Sequence, residues 1–313
     1  MAEAGPAIEV KGLRKSFGST VVLDGIDFIV GRGTIFSLLG PNGAGKTTVV
    51  NILTTLLDGD GGVATVNGSD VATHGAEVRE SISLTGQFAA VDHLLTGREN
   101  LVLIGGLRHV RDPAGTAESL LEQFGLTEAA DRRTSTYSGG MRRKLDIALG
   151  LVGDPAIIFL DEPTAGLDPE SRNMTWETIR SLADAGKTVL LTTQYLEEAD
   201  RLADKIAILS HGRIAAEGTP QALKSVLPQG QIDLRFADAA QLAKAGQVLA
   251  DRHPSRSESA LTLTISTDGS VAQVHRLFGL LETAKVEVAE FAQKSPTLDD
   301  AFLQIINDHN GGS

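Results

Sequence analysis

The chain has 313 residues, no cysteine and a net charge of −12, from 28 Lys and Arg against 40 Asp and Glu. That length can hold one large or two ordinary domains with a sizeable core, and 42% hydrophobic against 22% charged residues is a globular composition. Without cysteine there are no disulfides or cysteine zinc modules, the acidic balance argues against wholesale nucleic-acid binding, and the 7 scattered histidines lack metal-ligand spacing.

The opening MAEAGPAIEV has neither a basic region nor an apolar run, so no secretory signal is expected. No stretch reaches the ~18 uninterrupted apolar residues of a membrane helix. The most apolar region, 145–160, is broken by Asp146, Asp154 and Pro155. The expectation is a cytosolic chain that does not cross a membrane by itself.

IEVKGL and TVVLDGIDFIV read as strands of an antiparallel sheet. TIFSLLG is a buried strand that enters a Gly-rich loop and then a helix, KTTVVNILTTLL (46–57). VATVNG is a further short strand, and 96–131 reads as helices punctuated by Gly105-Gly106 and Pro113. AIIFLDE and TVLLTT are near-continuous apolar runs, as parallel strands buried on both faces require. IAILSHGRIAAEG predicts a hairpin around His211-Gly212. A short helix and linker follow over 218–230. The rest, in order, predicts strand QIDLRF, helix AAQLAKAGQVLA, strand ALTLTIS, helix VAQVHRLFGLLE, strand VEVAEFA and helix PTLDDAFLQII. This is a small α+β unit of split β-α-β type.

Three motifs carry chemistry. GPNGAGKT (40–47) fits G-x-x-x-x-G-K-[ST] between a strand and a helix. Its glycines let backbone N–H groups surround a phosphate at a helix N-terminus. Lys46 would reach the β- and γ-phosphates and the Thr47 hydroxyl would ligate Mg²⁺. In IIFLDE (157–162), Asp161 would hold Mg²⁺, directly or through water, and Glu162 would polarise the attacking water as general base. In YSGGMRRK (137–144), Ser138, Gly139 and Gly140 place a hydroxyl and free N–H groups at a helix start, a second anion site. One chain has no obvious use for it. Two chains head to tail do, each covering the γ-phosphate on the other. The basic run Arg142, Arg143 and Lys144 reads as a solvated helix face.

GPNGAGKTT, LTGQF, YSGGMRRK, IIFLDEPTAGLD and TTQYLEEAD occur in the order of an ATP-binding cassette domain, and 1–218 resembles one. The resemblance implies an α/β fold: a RecA-like P-loop ATPase core with an antiparallel β-subdomain and a helical subdomain over about 88–153. A C-terminal α+β accessory or regulatory domain would occupy 219–313. It further implies that Phe17 stacks on adenine, and that Gly40, Pro41, Asn42, Gly43, Ala44, Gly45, Lys46, Thr47 and Thr48 wrap the phosphates. Gln87 would contact Mg²⁺ or water, and Asp168 the facing subunit. More narrowly, TGQFAAVD, YSGGMRRKLDIA, TTQYLEEAD and SPTLDDAF resemble the daunorubicin/doxorubicin-resistance ATP-binding subunits of drug or lipid exporters. That implies ATP and Mg²⁺ as ligands, a homodimer, a separate polytopic membrane permease and a peripheral place on the cytoplasmic side. The alternatives are a non-transport cassette ATPase and a low-turnover regulatory module.

Three positions depart from the broad pattern: Met141 stands where glutamine is usual, Tyr137 where leucine is usual, and Gln194 where a histidine is usual. Glutamine keeps an N–H donor at similar reach but cannot become cationic. The expectation is retained geometry with altered electrostatics.

Overall fold

The near-continuous apolar runs have to be covered on both faces, and the chain does this with layered sheets and helices. A computed structural model describes residues 5–86, 91–225, 230–267, 270–294 and 297–311. The contacts divide it into two units, Met1–Pro220 and Gln221–Ser313.

The first unit opens with β1 (Ile8–Phe17), β2 (Thr20–Val30), β3 (Ile35–Leu39), α1 (Lys46–Leu53), β4 (Gly61–Val66) and β5 (Ser69–Asp70). It continues through α2 (Gly75–Ser81), β6 (Ile82–Thr85), α3 (Gly97–Leu107), α4 (Pro113–Gln123) and α5 (Gly139–Leu151). β7 (Ile157–Asp161), α6 (Pro169–Asp184), β8 (Thr188–Thr193), α7 (Leu196–Leu202), β9 (Lys205–Ser210) and β10 (Arg213–Gly218) complete it.

One sheet is antiparallel, in the order β2-β1-β4-β5; the other runs β10-β9-β3-β8-β7-β6 and is parallel except at β10. Every residue of β3, β7 and β8 is buried. The pleat explains why. Ile157 and Phe159 enter a core shared with the antiparallel sheet, while Ile158 and Leu160 enter one shared with α5 and α6. The rings of Phe28 and Phe36 stack at 5.2 Å and join the two sheets. In the parallel register Leu39 faces Thr193 and Asp161 faces Thr192. The C-terminal ends of β3, β7 and β8 therefore lie side by side, the edge at which open α/β sheets bind ligands.

Two helices differ from expectation. The helix expected to run to residue 57 stops at Leu53, because Thr55 turns left-handed (φ 63) and the N–H groups of Leu56 and Leu57 both fold back to the Asn51 carbonyl. Gly105 and Gly106 lie inside α3 instead of interrupting it. The reason is contact: a Cβ at Gly105 would lie 2.8 Å from that of Pro113, so the glycine lets α4 start against α3. The hairpin turns at His211 (φ 48) and Gly212 (φ 74), a two-residue loop with both residues left-handed.

The helix α8 (Pro220–Lys224) leads to the second unit: β11 (Gln231–Arg235), α9 (Ala239–Val248), β12 (Ser255–Ser257), β13 (Thr262–Ser266), α10 (Val271–Thr283), β14 (Glu290–Lys294) and α11 (Leu298–Gly311). Its sheet order, β12-β13-β11-β14, all antiparallel, is a split β-α-β arrangement with an edge strand, β12, that the sequence did not signal. The last strand starts at Glu290, later than the expected VEVAEFA. Ile232, Leu234, Leu263, Leu242, Leu277 and Leu281 form a core of their own. On α11, Leu298, Ala301 and Ile305 are buried within the chain.

Candidate functional site

The first turn of α1 is built by Gly45, whose φ of 106 is open only to glycine and where a Cβ would lie 2.8 Å from Leu23 Cδ2. This aims the turn of Asn42, Gly43, Gly45, Lys46, Thr47 and Thr48 into a cleft of about 480 Å³, whose other walls are Val22, Asp161, Glu162, Ala165 and Gln194. The rest of the loop supports it from behind. Lys46 Nζ donates to the carbonyls of Gly40 at 2.8 Å and Pro41 at 3.1 Å, and Ala44 is buried in the core.

The charged groups meet at the strand ends. Lys46 Nζ lies 3.5 Å from Glu162 Oε1. Burial pulls the Lys46 ammonium below its ordinary pKa, opposed by the charges of Glu162 and Asp161. Thr47 Oγ1 donates to Asp161 Oδ2 at 3.0 Å, and Thr192 Oγ1 donates to Asp161 Oδ1, so both carboxylate oxygens are held. Glu162 leaves the strand with φ 49, a left-handed conformation, while its N–H is tied to the Thr192 carbonyl at 3.1 Å. That turn separates the directions of the two adjacent acids. Asp161 stays in the buried strand, 7% exposed, and Glu162 faces the cleft.

Other expected residues lie off this cleft. Ser138 caps α5, its Oγ accepting the Met141 N–H at 3.2 Å, with Gly139 and Gly140 in the first turn. Met141 packs on the helical core through its side chain. Tyr137 is buried, donating to the Ala129 carbonyl at 2.7 Å, and burial pushes its hydroxyl up. Asp168 caps α6; the N–H and hydroxyl of Ser171 hold its carboxyl below the usual range. Phe17 is 50% exposed at the end of β1, with Lys15 Nζ 5.5 Å from its ring. Gln87 lies outside the described residues.

The basic run on α5 is not a solvated face. Arg142 Nη1 donates to the Tyr137 carbonyl at 2.6 Å, and the Arg143 side chain is 10% exposed and paired with Asp146 at 2.9 Å. Val22, Ala165 and Thr192 also border the site without having been singled out. Only Thr192 had a signal, a hydroxyl ending an apolar strand run.

A model of the ABC transporter family matches residues 23–165. A daunorubicin resistance ATP-binding protein of Streptomyces coeruleorubidus is 46% identical over 96% of this chain and 95% of its own length. A Nod factor export ATP-binding protein I of Rhizobium sp. (strain N33) is 36% identical over 96% of each. Among solved structures, the ADP conformation of an ATP-binding cassette of an ABC transporter superposes with a TM-score of 0.63 at 26% identity, covering 69% of this chain and 92% of that one.

Proposed function

The chain belongs to the ABC transporter family, as an ATP-binding subunit like those of daunorubicin and doxorubicin resistance, and from that premise we propose that it is the ATPase of an exporter for drugs, antibiotics or lipids. The observation that carries this is one cleft joining Lys46, Thr47, Asp161, Glu162 and Gln194. The phosphate-loop N–H groups and Lys46 hold the β- and γ-phosphates. Glu162 accepts a proton from the water that attacks the γ-phosphorus, and ADP departs as that phosphoryl group is transferred. Gln194, in the same cleft, donates a neutral hydrogen bond to the γ-phosphate.

The Thr47 hydroxyl and Asp161 carboxylate are hard oxygen donors 3.0 Å apart, a set that fits Mg²⁺. Bound there, the ion supplies charge neutralisation for the transferred phosphoryl group. Until then the two groups satisfy each other.

Ser138, Gly139, Gly140, Met141 and Asp168 are absent from the cleft wall of their own chain. This supports a reading in which two copies close head to tail around two nucleotides, with each α5 N-terminus facing the other copy's γ-phosphate. Phe17, on the exposed end of β1, is read as the adenine platform, and Gln87 as the contact from the helical segment. No described helix is long and apolar enough to cross a membrane, and the relatives are ATP-binding proteins of resistance and export systems; we read a separate membrane permease as the partner. We place the subunit on its cytoplasmic side.

Steady-state turnover and gel filtration of Glu162→Gln test the reading. This variant should bind ATP, hydrolyse it about 10²–10⁴-fold more slowly and accumulate as an ATP-bound dimer. Wild-type turnover would remove Glu162 from the mechanism.

A further inference from the structure

Glu198 is 0% exposed on α7, one turn beyond Gln194. A carboxylate so far from water needs donors. Its Oε1 accepts the Thr164 hydroxyl at 2.7 Å and the Trp176 indole N–H at 3.0 Å. Oε2 is buried with no well-formed hydrogen bond. Burial pushes the carboxyl up, against the donors Thr193, Thr164 and Trp176 and the charge of Arg143. Arg143 comes from α5, and its Nε and Nη2 are also buried without acceptors.

Two of these neighbours adjoin cleft residues in the chain. Thr164 follows Glu162 by two residues, in the loop that returns from the base. Thr193 immediately precedes Gln194, and its Oγ1 accepts the Tyr195 N–H at 2.9 Å, closing the turn that carries the glutamine. Glu162 has a backbone conformation of the kind that persists only where surrounding contacts over-determine it.

We propose that Glu198 is a positioning residue of the hydrolytic site, bracing the Glu162 loop through its hydrogen bond with Thr164 from the helix that follows Gln194. The proposal rests on the assignment of Glu162 as base and Gln194 as γ-phosphate contact. It goes beyond that assignment by naming what holds the base loop in place.

The test compares two hydrogen-bond deletions in the full chain. Thr164→Val and Trp176→Phe each remove one donor from Oε1, but only Thr164 belongs to the base loop. Thr164→Val should lower kcat about 10-fold while KM for ATP stays within about 2-fold, the signature of misplaced reacting groups. Trp176→Phe should hold kcat within about 2-fold, whatever its loss in Tm. Glu198→Gln, which keeps an acceptor oxygen, should retain more kcat than Glu198→Ala. Wild-type kcat in Thr164→Val, or equal losses in both deletions that follow Tm, would overturn the proposal. Full turnover by Glu162→Gln would instead sink the base assignment and this proposal with it. An inactive Glu162→Gln beside an unaffected Thr164→Val sinks the proposal alone.

Discussion

Gln194 stands in the wall of the same cleft as Lys46, as a donor that cannot titrate. Its chemistry predicts two outcomes in steady-state ATPase assays. Gln194→Ala should lower turnover by about 10-fold or more, the scale of one lost transition-state hydrogen bond to a charged group. Gln194→His should remain active but gain a pH limb near the ordinary imidazole range, at about 6.5, absent from the wild type. An alanine variant at the wild-type rate would make the residue a bystander. At this scale the sequence was readable where chemistry is contiguous: GPNGAGKT and the Asp161-Glu162 pair are consecutive residues whose spacing states their purpose. Val22, Thr164 and Glu198 were not readable. They reach the site from separate strands and helices, and nothing local marks a threonine or glutamate that will be buried beside it. Arg143 shows the same limit: a basic run looks solvated until packing covers it.

The strands were legible as elements because burial on both faces leaves an uninterrupted apolar run. Helix ends and glycine roles were less so, since they depend on what packs against them. Gly105 gives a case with an inverted sign. Glycine to alanine inside an exposed helix normally stabilises by about 1 kcal/mol. Here the added methyl would lie 2.8 Å from the Pro113 Cβ and 3.1 Å from its Cα. Gly105→Ala should therefore destabilise the α3-α4 pair, by about 1–3 kcal/mol in chemical denaturation, as overpacking does. Stabilisation would mean that α4 can shift away at little cost. The edge strand β12 escaped notice for a different reason: three exposed residues, SRS, carry no hydrophobic alternation at all.

For the whole molecule, the groups assigned to phosphate, magnesium and base lie within Met1–Pro220, and Gln221–Ser313 has its own core. We propose that the second unit assists assembly. The sequence puts Leu298, Phe302 and Ile305 on one face of α11; Leu298 and Ile305 are buried and Phe302 is half-buried, which leaves other surfaces of the unit for that task. A chain ending near Thr219 should still bind Mg-ATP in equilibrium titrations but dimerise or co-purify with its membrane partner poorly, by light scattering and pull-down. Unchanged assembly on both counts would reduce the unit to a stabilising appendage. The displacement of Ser138 from its own chain's cleft has a genetic counterpart. If each site takes its phosphate loop from one copy and its α5 N-terminus from the other, Lys46→Ala and Ser138→Arg chains should each be inactive alone. In a mixed dimer, both lesions fall in the same composite site and the other site is entirely wild type. Equal mixing with free exchange should then restore roughly one quarter of wild-type turnover, since about half the pairs are mixed and each keeps one of its two sites. Two dead proteins would make a living one, and a mixture that stayed silent would mean that each chain hydrolyses ATP on its own terms.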